Sequence, residues 1–99
     1  MTNIDFNKVI ITGRAKSKPE LRLTTTGISV VNFTLISEGV KGREYIDVTV
    51  WGELAEKIYK DIEAGRRLMV EGRLHRTAAE EGSVGRVEIT ANRVFDMEV

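Results

Sequence analysis

Two aromatic side chains, Tyr45 and Trp51, stand in the polar row of a β-strand predicted over residues 44–51. Successive side chains of a strand point to opposite faces, so both rings lie away from the apolar row that ends in Val50. Aromatic rings on a sheet surface can stack nucleic-acid bases, each stack contributing about 1–3 kcal/mol. We therefore predict base stacking on this face. The structural alternatives are coverage of both faces by the fold and burial of Trp51 in a subunit interface.

Basic side chains near the two rings would provide contacts to a phosphate backbone. They surround the first turn, lead into the aromatic strand, and lie on or near the outward row of a strand predicted over residues 67–76. A single base is more often merely solvated, and His75 is by default a surface histidine, so the cluster carries more weight than its members. The predicted nucleic-acid-binding residues are Trp51, Tyr45, Arg22, Arg14, Lys41, Arg43, Arg73, His75 and Arg76.

The overall charge argues against the simplest form of this prediction. The chain has 15 basic and 15 acidic residues, whereas a nucleic-acid-binding protein usually has a basic excess. The charges are unevenly spread, because the segment 14–22 holds four bases (Lys16 and Lys18 among them) against the single acid Glu20. One basic face and an ordinary solvated surface are both consistent with this composition.

Residues for catalysis are scarce. His75 is the only histidine and cysteine is absent. The sequence therefore offers few residues for a nucleophile paired with a histidine base. The glycines form neither a P-loop nor a dinucleotide fingerprint, and metal-ligand spacing is absent. The adjacent acids Glu80 and Glu81 lie in a predicted polar loop and are interpreted as solvated. We predict a binding protein that is not an enzyme and needs no metal or cofactor.

The alternation of apolar residues predicts the elements that position these side chains. Five strands are predicted over residues 8–14, 28–36, 44–51, 67–76 and 86–95, and residues 21–23 fit a further short strand. Helical spacing over residues 53–64 precedes Gly65, where the helix would end. This order favours an all-β fold, a single OB-fold domain over residues 1–99. It is a five-stranded Greek-key barrel with one helix between strands three and four, and strands two and three form its binding face. Other small α+β arrangements also fit the pattern.

Length and composition bear on the cellular location of the chain and on its association with further copies. No apolar run approaches the roughly 18 residues that span a bilayer, and residues 1–8 lack the features of a signal peptide. We predict a cytoplasmic, nucleoid-associated protein without a membrane partner. A core from 99 residues is thin, and an open sheet edge promotes pairing, so association with further copies is expected.

Five segments resemble bacterial single-stranded DNA-binding proteins, in the same order and spacing from about residue 6 to residue 95. They are NKVIITGR (7–14), KPELR (18–22), VVNFTL (30–35), VWGELAE (50–56) and VEGRL (70–74). The resemblance implies an OB-fold, a homotetramer or dimer, and sequence-nonspecific binding of single-stranded DNA in replication, recombination or repair. It places Trp51 and Tyr45 at stacking positions, Arg22 at a basic position of the first turn, and Arg73 at a polar or basic position.

The departures from that family concern stacking and charge. Family members usually carry another tryptophan before the third strand, where this chain has GVKG (39–42), and many carry one after the fourth, where it has TAAEE (77–81). Glu53 stands where lysine is common, and Asp47 where arginine is frequent. Fewer rings and fewer bases predict weaker binding, a smaller footprint and a flatter salt dependence.

A second interpretation is also open. The sequence ends at Val99 without the glycine-rich linker and acidic tail by which the family recruits repair and replication enzymes. The alternative is an OB-fold protein-interaction module that uses its sheet face for a protein partner, or a replication-restart module that resembles primosomal protein N and binds DNA weakly. Replication proteins would be its partners, reached without a recruiting tail.

Overall fold

The computed structural model describes residues 3–78, 81–82 and 84–98, which form six strands and one helix. In chain order these are β1 (Val9–Ala15), β2 (Glu20–Leu23), β3 (Ser29–Gly39), β4 (Gly42–Trp51), α1 (Gly52–Asp61), β5 (Arg67–Arg76) and β6 (Val87–Asp96). In this part of the chain no helix has the length and apolar character that a membrane span requires.

The strands follow the order β1-β5-β6-β4-β3-β2, and a second pairing between β1 and β3 closes the sheet. All pairings are antiparallel except that of β4 with β6, which places Thr49 beside Thr90. Five strands thus form the closed barrel, and β2 pairs with β3 alone. The helix lies between the third and fourth barrel strands, β4 and β5. The predicted all-β OB-fold barrel is confirmed.

The inward rows of the barrel strands supply the core. Apolar residues alternate with polar ones along β3, β4, β5 and β6, so each strand presents one row to the interior. Ala55 and Ile58 of α1 join this cluster. Glycine is required where β1 passes from β5 to β3, because a Cβ on Gly13 would overlap the carbonyl oxygen of Ile36.

Several boundaries are shifted by one residue from the predicted ones, and three features of the strands and the helix differ more noticeably. β3 and β4 extend to a two-residue turn at Val40 and Lys41, because Gly39 and Gly42 still pair. The short strand begins at Glu20 and forms a sixth strand. The helix ends at Asp61 rather than at residue 64, since Ile62 is extended (φ −102°, ψ 125°) and buried in the core.

Candidate nucleic-acid interface

A groove of about 660 Å³ crosses the outer faces of β3 and β4. Side chains from four adjacent strands (β2, β3, β4 and β6) reach it, and residues 17–18 and 77 contribute at its ends. We call this surface the groove; its charged, polar and aromatic lining includes Arg22, Asn32, Asp47, Thr49, Trp51, Arg86 and Glu88.

Trp51 is the last residue of β4 and stands at the end of the groove next to α1. The residue is 49% exposed, so the protein chain itself covers only about half of it. Val30 of β3 lies directly opposite Trp51. Val30 is buried, although it belongs to the outward row of β3. Gly52 has φ +70°, a conformation that other residues rarely adopt, and this lets the chain turn from strand to helix immediately after the ring.

A continuous chain of hydrogen bonds crosses the floor of the groove. The Arg22 guanidinium on β2 donates to Oδ1 of Asn32 on β3. Asn32 Nδ2 donates to Thr49 Oγ1 at 2.7 Å, and Thr49 Oγ1 donates to Glu88 Oε1 on β6 at 2.9 Å. Each group fixes the orientation of the next, so the floor is ordered before any ligand arrives.

A second polar contact lies one step further along the same rows. Thr34 Oγ1 donates to Asp47 Oδ1 at 3.2 Å, and Arg86 Nη1 lies 3.8 Å from Asp47 Oδ2. The Arg86 side chain is otherwise exposed at the mouth of the groove. Arg22 and Arg86 therefore flank a floor that holds the carboxylates of Asp47 and Glu88.

The groove is not a basic face. Its charged lining consists of three bases (Lys18, Arg22 and Arg86) and three acids (Glu20, Asp47 and Glu88). Lys18 is already engaged, because its ammonium donates to the carbonyl oxygens of Tyr59 (2.9 Å) and Ile62 (3.3 Å). The mixed charge of the chain thus persists locally, and strong attraction of phosphates is not expected here.

Tyr45 lies in the same outward row as Trp51 but outside the groove. The two positions are six residues apart, which corresponds to roughly 20 Å along a strand, so the two rings cannot stack on the same base. Tyr45 is 57% exposed, and the Lys16 ammonium lies 5.6 Å from the centroid of its ring. Tyr45 also lines a second, mainly apolar cavity of about 270 Å³ with Leu74 and Val87, and this cavity adjoins the groove because Asp47 and Glu88 line both.

Arg14 and Arg43 meet at one carboxylate near the β3–β4 turn. Glu38 Oε1 lies 3.2 Å from Arg14 Nη2 and 2.8 Å from Arg43 Nε. Interaction with the Tyr45 side chain and the negative charge of Glu38 raise the pKa of Arg43. Lys41 is exposed in the turn itself. These three bases surround Tyr45 and the hairpin rather than Trp51.

The three predicted residues of β5 lie apart from the groove. Arg73 pairs with Thr90 of β6, and His75 pairs with Glu88 of β6. Both residues lie on the outward surface, two strands away from β4. Arg76 donates to the carbonyl oxygen of Gly85 at 2.8 Å and so holds the β5–β6 connection. In that connection Glu80, one of the two acids predicted to be solvated, lies outside the described residues.

Of the nine predicted residues, the groove brings together only Trp51 and Arg22. The predictions did not include the floor residues Asn32, Thr34 and Thr49, nor Glu88 of β6 and Arg86, which precedes that strand. The floor residues had a visible signal, because they alternate with core residues on the two predicted strands of the binding face. Arg86 and Glu88 had none, because only the parallel β4–β6 pairing brings them beside β4.

Comparisons with known proteins agree with this fold. Residues 6–97 match the single-strand binding protein family. The chain is 36% identical to single-stranded DNA-binding protein 1 of Chlorobaculum tepidum, over 81% of this chain and 55% of that one. It is 31% identical to the single-stranded DNA-binding protein of Halalkalibacterium halodurans, over 86% and 55% of the two chains. The chain thus spans about half the length of these relatives.

A solved structure is similar over nearly the whole chain. It is the crystal structure of a deletion mutant of the single-stranded DNA binding protein from Thermus aquaticus. The TM-score is 0.79 at 28% identity, and the match covers 92% of this chain and 40% of that one.

Proposed function

The chain belongs to the single-strand binding protein family, and on this premise we propose that it binds single-stranded DNA with little dependence on sequence. Bases would stack on Trp51, and the phosphates would lie along Arg22 and Arg86. Such binding would serve replication, recombination or repair. The family match favours this function over the alternative of a replication-restart or protein-interaction module.

One observation carries the proposal. Trp51 is half-exposed at the end of an open groove whose floor is already tied together by hydrogen bonds. A large ring that the fold leaves uncovered beside an ordered polar floor offers a base both a stacking surface and hydrogen-bond partners. One structural alternative required the fold to cover both faces of β4. The outward face is uncovered at this end.

The phosphate contacts are expected to be few. Of the three bases in the groove, Lys18 is bonded to the end of the helix. Arg22 and Arg86 are left for contacts to phosphates. For a single strand, the logarithm of the binding constant falls with the logarithm of salt concentration at about −0.7 per phosphate neutralised. We therefore propose modest affinity with a shallow salt dependence.

A titration with oligo-dT, followed by tryptophan fluorescence at low salt, tests the proposal. Trp51 is the only tryptophan, so any quenching reports on the groove. We expect saturable quenching by the single strand and much weaker quenching by a duplex of equal length. Absence of both quenching and a gel shift at low salt would overturn the proposed function.

We further propose that the chain acts as a binding protein rather than an enzyme, in the cytoplasm at the nucleoid, and as a homo-oligomer. Within the described residues, Val9–Gly13 pair with β5 on one side and with no strand on the other. An open strand edge of this kind promotes pairing with another chain. Light scattering that gives a monomer at micromolar concentration would contradict the oligomer.

A further inference from the structure

The floor of the groove is acidic where a site for polyanions would be expected to be basic. The carboxylates of Asp47 and Glu88 both line it, between Arg22 on one flank and Arg86 on the other. The outer two of the four adjacent strands are about 14 Å apart, at roughly 4.8 Å for each of three strand spacings. From β2, Arg22 reaches inward to Asn32, and Arg86, which precedes β6, reaches inward to Asp47. A phosphate placed on this floor would meet two negative charges, so the backbone is favoured at the rims and the bases at the floor.

Both carboxylates retain hydrogen-bonding capacity. A carboxylate accepts up to about four hydrogen bonds. Glu88 accepts one from Thr49 through Oε1, and Asp47 accepts one from Thr34 through Oδ1 while its Oδ2 lies 3.8 Å from Arg86 Nη1, beyond hydrogen-bonding distance. Neither carboxylate is buried, and the Asp47 side chain is 43% exposed. Each therefore presents acceptor oxygens to whatever lies in the groove.

An acceptor surface distinguishes among bases. Cytosine presents its exocyclic N4 amino group as a donor, and aspartate and glutamate are suited to accept from it. Thymine presents the O4 carbonyl at the same position, which a carboxylate repels. Thymine does have a donor at N3, but carbonyl oxygens flank it on both sides, so the approach of a carboxylate there is opposed.

We propose that Asp47 and Glu88 are specificity-determining residues that make the groove prefer cytosine-rich over thymine-rich single strands. This inference rests on the proposed function and refines it, because stacking on Trp51 supplies affinity for any base while the floor selects among them. The hydrogen bond from Thr49 orients Glu88 for this contact, and that from Thr34 orients Asp47.

The test compares two oligonucleotides of equal length, one of thymidine and one of 5-methyl-deoxycytidine. Both bases carry the same methyl group, so their stacking surfaces match and the difference lies at position 4 and N3. Titrations at pH 8 prevent pairing between protonated cytosines. We expect the 5-methylcytosine strand to bind about three-fold to ten-fold more tightly, the range for a single net hydrogen bond.

Three variants locate the source of the preference. Glu88→Gln and Asp47→Asn keep the side-chain size, but their amides both donate and accept, so the affinity ratio should fall toward one. Glu44→Gln is the matched control, because Glu44 is an exposed acid of β4 at the hairpin end, outside the groove. It removes the same charge and should leave the ratio at the parent value.

The outcomes separate the inference from the function on which it rests. Equal binding of the two strands by the parent, or tighter binding of thymidine, overturns the inference and leaves single-stranded DNA binding intact. A preference that persists in the Asp47→Asn, Glu88→Gln double variant also overturns it. Failure of the parent to bind either strand overturns the proposed function and the inference together.

Discussion

The Lys18 ammonium donates a hydrogen bond of 2.9 Å to the carbonyl oxygen of Tyr59, in the last turn of α1. It also bonds to the carbonyl of Ile62 and pairs with Glu63. The last carbonyls of a helix have no partner within the helix, and a cation there also interacts favourably with the helix dipole. Lys18, which lies in the most basic stretch of the sequence, therefore stabilises the fold.

Lys18→Met should reduce the free energy of unfolding by about 1 kcal/mol, the usual contribution of such a contact in an exposed setting. Urea denaturation measures this change. Lys57→Met, at an exposed position of α1, is the control and should have little effect. DNA affinity of the Lys18 variant should remain close to that of the parent. A large loss of affinity with unchanged stability would show that Lys18 contacts DNA instead.

Trp51→Ala should weaken binding of single-stranded DNA by about 1–3 kcal/mol, the contribution of one stacked base. Because the variant lacks tryptophan, the measurement is fluorescence anisotropy of a labelled oligonucleotide. Trp51→Phe should retain part of the affinity. Tyr45→Ala should have a smaller effect than Trp51→Ala, since Tyr45 lies outside the groove. Parent-like affinity of Trp51→Ala would refute stacking at this position.

Arg86→Met should flatten the salt dependence of DNA binding, because one fewer phosphate is neutralised. The slope of log affinity against log salt should become shallower by about 0.7. Arg67→Met is the control, because Arg67 is an exposed arginine at the start of β5 that does not line the groove. Equal changes in the two variants would mean that general charge, rather than the groove, governs the phosphate contacts.

Acid should destabilise the fold partly through Asp96. The backbone N–H of Glu98 and then the Arg66 guanidinium lower the pKa of Asp96. A carboxyl whose folded pKa lies below its unfolded value of about 3.9 stabilises the protein above that value. This contribution is lost as the pH falls through the lowered pKa.

Asp96→Asn should therefore be less stable than the parent at pH 7, and the difference should shrink as the pH falls below about 4. Thermal unfolding at several pH values measures this convergence. Asp61→Asn, at an exposed residue ending α1, is the control. A constant difference between parent and Asp96→Asn from pH 7 to pH 3 would contradict the assignment.

Much of the fold was predictable because its signals are local. Strict alternation along residues 28–36, 44–51 and 67–76 placed three barrel strands and the face of Trp51. The end of the helix was less predictable, because Ile62 leaves it in order to be buried in the core. That gain depends on the neighbours of Ile62 in space rather than in sequence.

The sequence by itself determined that β4 presents Trp51 outward and that a helix follows this strand, because both follow from the spacing of apolar residues. Only the tertiary structure decided which charges accompany that ring. The parallel β4–β6 pairing brings Arg86 and Glu88 to the groove, while Arg14 and Arg43 meet at Glu38 beside the hairpin. Contacts between strands distant in sequence depend on strand order and closure of the barrel, which no local pattern records.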